Sequence, residues 1–308
     1  MADTQDTLTE ETGHDPRRDM VRLRSAELSA AINPFGAELS HLEDADGNEL
    51  MTAADPAFWT GRAPLLFPIV GALSGETLRV DGAEYQMYKH GFARKSLFQL
   101  VEADDSHAVF ALEDSEETRV NYPFAFRLEA AFRLDGATLT TEITVANRGD
   151  RPLPASFGFH PAFAWPLPYG ADKQAHRITF EANEPGELKA IAGDGTIAPA
   201  GVPSPLADGR VLALTDELFA HDALVWDPVH SQRVIYGPDT GPKLEIAFPD
   251  TPHLGIWTKP GAHFVCVEPW HGIADPEGYT GDYRDKPGVF EVPVGGSKQI
   301  GMSVTLVR

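Results

Sequence analysis

The sequence predicts an all-β protein, one large antiparallel β-sandwich with few and short helices. Three observations carry this. Apolar and polar residues alternate at period two along much of the chain. Asp-Gly pairs separate alternating runs, as in tight hairpins. Glycine (28) and proline (25) are abundant, and no stretch holds helical spacing over about 12 residues between caps.

Taken in order, residues 1–20 are polar and mostly acidic and read as a disordered tail. They contain no apolar core of a secretory signal. A single catalytic domain is expected over 21–308. "VRLRSAEL" and "SAAINPF" are its first strands. "LRVDGAEYQM" is a hairpin turning at Asp81-Gly82. "DPAFWTGR" is the candidate short helix. "HAVFALED" is a further strand. In "FAFRLEAAFRL", Phe124, Phe126, Leu128, Ala130, Phe132 and Leu134 take one face, and Arg127, Glu129 and Arg133 the other. "TLTTEITVAN" answers it, with Leu139, Ile143 and Val145 inward and an Asp135-Gly136 turn between. "RVLALTD", "ALVWD", "RVIYG", "KLEIAFP", "LGIWTK", "HFVCVEPW" and "MSVTLVR" complete the series of strands.

Composition narrows the partners. The 46 acidic residues exceed the 25 basic ones, giving a net charge of -21. Such a surface repels nucleic-acid phosphates and anionic membranes. No apolar run is long enough to span a bilayer. The single cysteine, Cys266, cannot form an intramolecular disulfide. The expectation is a cytoplasmic protein, monomer or homodimer, acting on a small molecule.

Three stretches carry ionisable groups where packing alone would not place them. "YKHGFARKS" holds His90, "FGFHPAF" holds His160, and "FVCVEPWHG" holds Glu268. Phe264, Cys266 and Glu268 share one strand face, opposite Val265 and Val267, so Glu268 lies in line with buried-type residues. A carboxylate there needs a partner or a task. A histidine among aromatics also serves as a hydrogen-bonded structural residue, and a glutamate before proline as a rim residue. Two histidines and one glutamate form a metal-ligand set, but no short-range pair such as H-x-x-x-H supports one, and no metal or other cofactor is expected. No G-x-S-x-G motif supports a serine hydrolase.

Several stretches together resemble the aldose 1-epimerase (galactose mutarotase-like) family, most closely its LacX-like branch. They are "NPFGAELSHL", "APLLFPIVGAL", "KHGFARKSLF", "YPFAFRLEAAFRL", "ASFGFHPAF", "HDALVW" and "CVEPWHGIAD", spread over almost the whole chain. The resemblance implies a β-supersandwich with an open sugar cleft. It implies His160 as general acid, Glu268 as general base, His90 as a second histidine near the ring oxygen, Asp222 as a holder of sugar hydroxyls, and Arg94 as a substrate-side arginine. Relatives place an arginine where this chain has Ala72, and Arg62 is a candidate to replace it.

Such residues suit anomer exchange. One group takes the proton from the C1 hydroxyl, and the other protonates the ring oxygen. The ring opens to the aldehyde, C1 turns, and the ring closes on its other face. The expectation is an ionised Glu268 facing a protonated His160 across the sugar, with Trp257 or Trp270 stacking on it and Phe157 in the core. A hexose-6-phosphate mutarotase using Lys89, Arg94 and Lys95, a non-catalytic sugar sensor, and a lyase or hydrolase of acidic polysaccharide are the competing readings.

Overall fold

The computed structural model describes residues 19–308. The tail expected over residues 1–20 therefore lies, but for Asp19 and Met20, outside the described residues. Two sheets dominate, and every pairing between named strands is antiparallel. The larger has nine strands. Its centre is Ser297–Val307, Thr138–Asn147 and Phe126–Asp135. The second brings Leu224–Trp226, His253–Trp257, Phe264–His271, Phe157–Phe159 and Leu65–Leu66 side by side, with Ala162–Ala164 also paired to Phe264–His271. A three-stranded sheet begins the domain at Val21–Arg24.

The predicted hairpin forms with its predicted faces. Phe126, Leu128, Ala130, Phe132 and Leu134 are buried, and the residues between them are not. Leu139 pairs with Leu134 and Ile143 with Ala130. The strand starts at Phe126 rather than Phe124, and Thr138 pairs with Asp135, so the turn is Gly136-Ala137. The Asp81-Gly82 turn also forms, with both residues at positive φ as a two-residue hairpin requires.

"DPAFWTGR" is not a helix. The Asp55 carbonyl accepts from the amides of Phe58 and Trp59, closing a single turn that goes no further. Among the described residues the α-helix is Glu116–Asn121, where Ser115 and Thr118 form a reciprocal cap.

One core joins the two large sheets and contains Phe132, Ile143, Phe157, Val265 and Val267. Phe157 is thus a packing residue, as expected. The opposite face of Phe264–His271 turns Phe264 and Cys266 toward Phe58, Trp59 and Trp257. That strand is covered on both sides, which explains its nearly unbroken apolar sequence. No helix among the described residues is long and apolar enough to cross a membrane.

Candidate active site

Strand register brings His160 and Glu268 together. Gly158 pairs with Trp270, and Ala162 pairs with Cys266. The same register carried through the intervening residues sets His160 opposite Glu268. Their side chains meet there, with His160 Nε2 3.2 Å from Glu268 Oε2. The carboxyl group is nearly sealed from solvent, at 2% exposure, and His160 at 8%.

The pair lies in an open cleft of about 270 Å³, near the lower end of the range for small-molecule sites (roughly 300–1,000 Å³). His90, Arg94, Asp222 and Trp270 line the same cleft, as do Trp257 and Lys89. Sequence reasoning missed Trp59, Ile191 and Ile197, which also line it. Trp59 comes from the turn first read as a helix. The two isoleucines sit in a segment with no periodic signal.

Arg62 does not join them. Its guanidinium donates to the carbonyls of Ser40 (2.9 Å) and Thr52 (2.7 Å). Its backbone amide, with that of Ala63, donates to Glu38 Oε1. Arg62 ties the first sheet to the turn that follows it and leaves the Ala72 position without a replacement arginine.

Each remaining group is held by local structure. Gly91 runs so close to Phe67 that a Cβ would sit 2.2 Å from the Phe67 carbonyl oxygen, so only glycine fits after His90. The Gly71 amide donates to His90 Nδ1 at 3.1 Å, and the His90 amide donates to the Gly71 carbonyl at 2.9 Å. An N–H can only donate, so Nδ1 is unprotonated and a neutral His90 carries its proton on Nε2. Burial, reinforced by the neighbouring His160 and by Lys89 and Arg94, pushes the pKa of His90 well below the usual histidine value. His90 is therefore a hydrogen-bond donor in the cleft rather than an acid.

Trp270 lies across glycines. A Cβ at Gly255 would be 2.4 Å from its ring, and one at Gly158 would be 2.6 Å. Both neighbouring strands give up a side chain to let the indole lie against the sheet at the cleft. Arg94 Nη2 donates to the Lys89 carbonyl at 2.9 Å, while its buried Nε has no hydrogen-bond partner. Asp222 holds a left-handed backbone (φ 83), and its carboxylate accepts from the Ala223 amide.

The His160–Glu268 pair differs from the sequence expectation in two ways. The groups touch, so they stand side by side rather than across a ring. Their surroundings also disfavour charge. Trp59 and Trp257 pack around His160, with ring centres 4.9 and 5.8 Å away. Burial pushes the His160 pKa down to about 3. Burial also raises Glu268 well above the usual carboxylate value, Asp222 adds to that, and Lys89 opposes it. Burial is the largest cause of both shifts, and it disfavours the charged form of each group.

His160, Cys266 and Glu268 also bring three ligand-type atoms within 4.8 Å of one another. This set would suit a soft divalent cation better than magnesium or calcium. Spacing along the sequence gave no sign of it, because the histidine arrives from a neighbouring strand.

The aldose 1-epimerase family model matches residues 19–279. The chain is 30% identical over 289 residues to the plasmid-borne protein LacX of Lactococcus lactis subsp. lactis, covering 91% of this chain and 97% of that one. The chromosomal LacX of the same organism is 31% identical over 294 residues, with the same coverage. A galactose mutarotase related enzyme from Lactobacillus acidophilus superposes with a TM-score of 0.87 at 29% identity, covering 94% of this chain and 98% of that one. A galactose mutarotase-like protein from Lactobacillus casei gives the same TM-score at 28% identity, covering 94% and 100%. The chain belongs to the aldose 1-epimerase family.

Proposed function

We propose that the protein interconverts the α and β anomers of a free aldose, with His160 and Glu268 as the proton-transfer pair. The observation that carries this reading is the 3.2 Å contact between the two buried groups at the cleft. The C1 hydroxyl oxygen and the ring oxygen are bonded to the same carbon. Groups that serve both oxygens must therefore be neighbours, and a pair in contact suits them.

A pair that shares one proton can run the cycle. In its carboxylate–imidazolium form, Glu268 takes the proton from the C1 hydroxyl while His160 Nε2 gives one to the ring oxygen. The ring opens, and the pair is left as carboxylic acid and neutral imidazole, the form that burial favours. The open-chain aldehyde then faces a neutral site while C1 turns. Reversed transfers close the ring and restore the first form. Burial opposes the charged starting form and favours the neutral pair, so it assists the first transfer and is offset by the mutual attraction of the two charges. The His90 Nε2–H offers a fixed donor to a sugar oxygen, Asp222 accepts from hydroxyls, and Trp270 offers an apolar face to sugar C–H groups.

Lys89 and the unpartnered Nε of Arg94 support a second reading, in which the sugar carries a phosphate. Saturation-transfer NMR on anomer pairs of several aldoses tests the proposal. Enzyme-dependent exchange between the two anomer signals is expected. Binding without exchange would make the protein a sugar sensor instead. Competition by inorganic phosphate would favour the phosphosugar version.

A further inference from the structure

Behind the cleft lies a second buried ionic pair that anomer exchange does not use. Lys286 has a fully buried side chain, and its Nζ is 3.3 Å from Asp275 Oδ1. Asp275 is itself 2% exposed. Replacing such a pair with well-packed apolar residues is often neutral or stabilising, so stability alone does not account for it.

Asp275 occupies a junction. Its amide donates to the Ala72 carbonyl at 2.9 Å, and its Oδ2 accepts from the Ser74 amide at 2.8 Å. Its carbonyl accepts from the Ile197 amide at 2.7 Å. The preceding residue, Ala274, abuts Gly71 so closely that a Cβ on Gly71 would be 2.5 Å from its methyl carbon. Asp275 thus grips the 71–74 loop at two points and ties it to the segment carrying Ile197, while Ala274 packs against Gly71. Gly71 in that loop makes both backbone hydrogen bonds to His90, including the one that fixes its ring.

We infer that Lys286 and Asp275 form a positioning pair, which holds the Gly71 amide against His90 Nδ1 and so keeps the His90 Nε2–H directed at the substrate. The ammonium fixes the carboxylate from behind, the carboxylate and its backbone fix the loop, and the loop fixes the imidazole tautomer. Neither residue lines the cleft. Without the Gly71 bond, the two neutral tautomers of His90 differ little in energy, and the donor becomes an acceptor in part of the molecules. The inference deepens the proposed anomer exchange and rests on that reading for its kinetic consequence, but not for its structural one.

The test compares the full-length parent with Lys286→Met, Asp275→Asn and the double variant. Ring ¹⁵N spectra, recorded without sugar and assigned by the signal lost in His90→Gln, report the His90 tautomer. The parent is expected to show one tautomer, with Nδ1 unprotonated, and the variants a mixture. Where anomer exchange is measurable, kcat/KM is expected to fall about 10²-fold, the usual effect of misplacing a positioned group by about 1 Å. If either single variant fails to fold, the double variant leaves no lone buried charge and carries the test. Folded variants with the parent's single His90 tautomer would overturn the inference, and the pair would be structural only. A parent with a fixed tautomer but no anomer exchange would instead sink the proposed function and leave this inference standing.

Discussion

The nine-stranded sheet and the sheet that carries the cleft are built by different rules. In the first, alternation decides everything. Phe126–Asp135 and Thr138–Asn147 bury every second residue, and the partners across the hairpin are Leu with Leu and Ile with Ala. In the second, regularity is broken wherever function enters. Glycines 158 and 255 leave room for Trp270, Pro161 interrupts the strand beside His160, and an acid stands in the line of Phe264 and Cys266. Conflict between a local rule and the residue present is thus what marks the site.

If the division is right, mutations in the two sheets should fail in different ways. The largest effect is expected from His160→Asn, with anomer exchange falling roughly 10²–10⁴-fold in a protein that still folds. Ile143→Ala should do the reverse. It should cost about 2–5 kcal/mol in urea unfolding, with unchanged exchange per folded molecule. A kinetic defect in folded Ile143→Ala would break the comparison. A smaller effect is expected for Gly255→Ala, which forces the Trp270 ring off the sheet. Losing one stacking contact should lower kcat/KM about tenfold while the unfolding midpoint moves little.

The pH profile sharpens the picture further. The pair should hold its one proton from about pH 3, where His160 becomes charged, up to the raised value of Glu268. Activity should therefore fall below about pH 3, as His160 takes a second proton for the pair, and on the alkaline side, as Glu268 loses its own. A limb near pH 6.5, where an ordinary histidine titrates, would contradict the burial argument. The smallest effect is on stability. Because the folded pKa of Glu268 is raised, the folded state holds a proton that the unfolded state releases above about 4.5. The group thus destabilises the fold progressively as pH rises from 4.5 toward its folded value. Thermal unfolding of Glu268→Gln should show a more stable protein at neutral pH, with the advantage shrinking toward pH 4.5.

The alternating sheet was legible almost residue by residue because period two and Asp-Gly turns are local signals. The site was legible only in part. Local reading singled out His90 and His160, placed Glu268 by parity with Phe264 and Cys266, and picked Trp270 as a stacking candidate, while the resemblance supplied Arg94, Asp222 and the roles. That His160 meets Glu268 depends on a register between strands about a hundred residues apart, which no local pattern encodes. Burial shifts both groups away from the charged forms expected of them. Arg62 was misread because an arginine that caps carbonyls looks the same in sequence as one that faces a ligand. The helix at Glu116–Asn121 was missed because six residues are too few to display a period.

Glu268→Gln gives the most direct test of the central claim, when anomer exchange and sugar binding are followed in the same NMR sample. The amide keeps the shape of the side chain but cannot accept the proton of the C1 hydroxyl. Sugar that still binds while exchange drops by roughly 10²-fold or more is the predicted result. Exchange at the parent's rate in the folded variant would show that the buried pair does not carry the reaction.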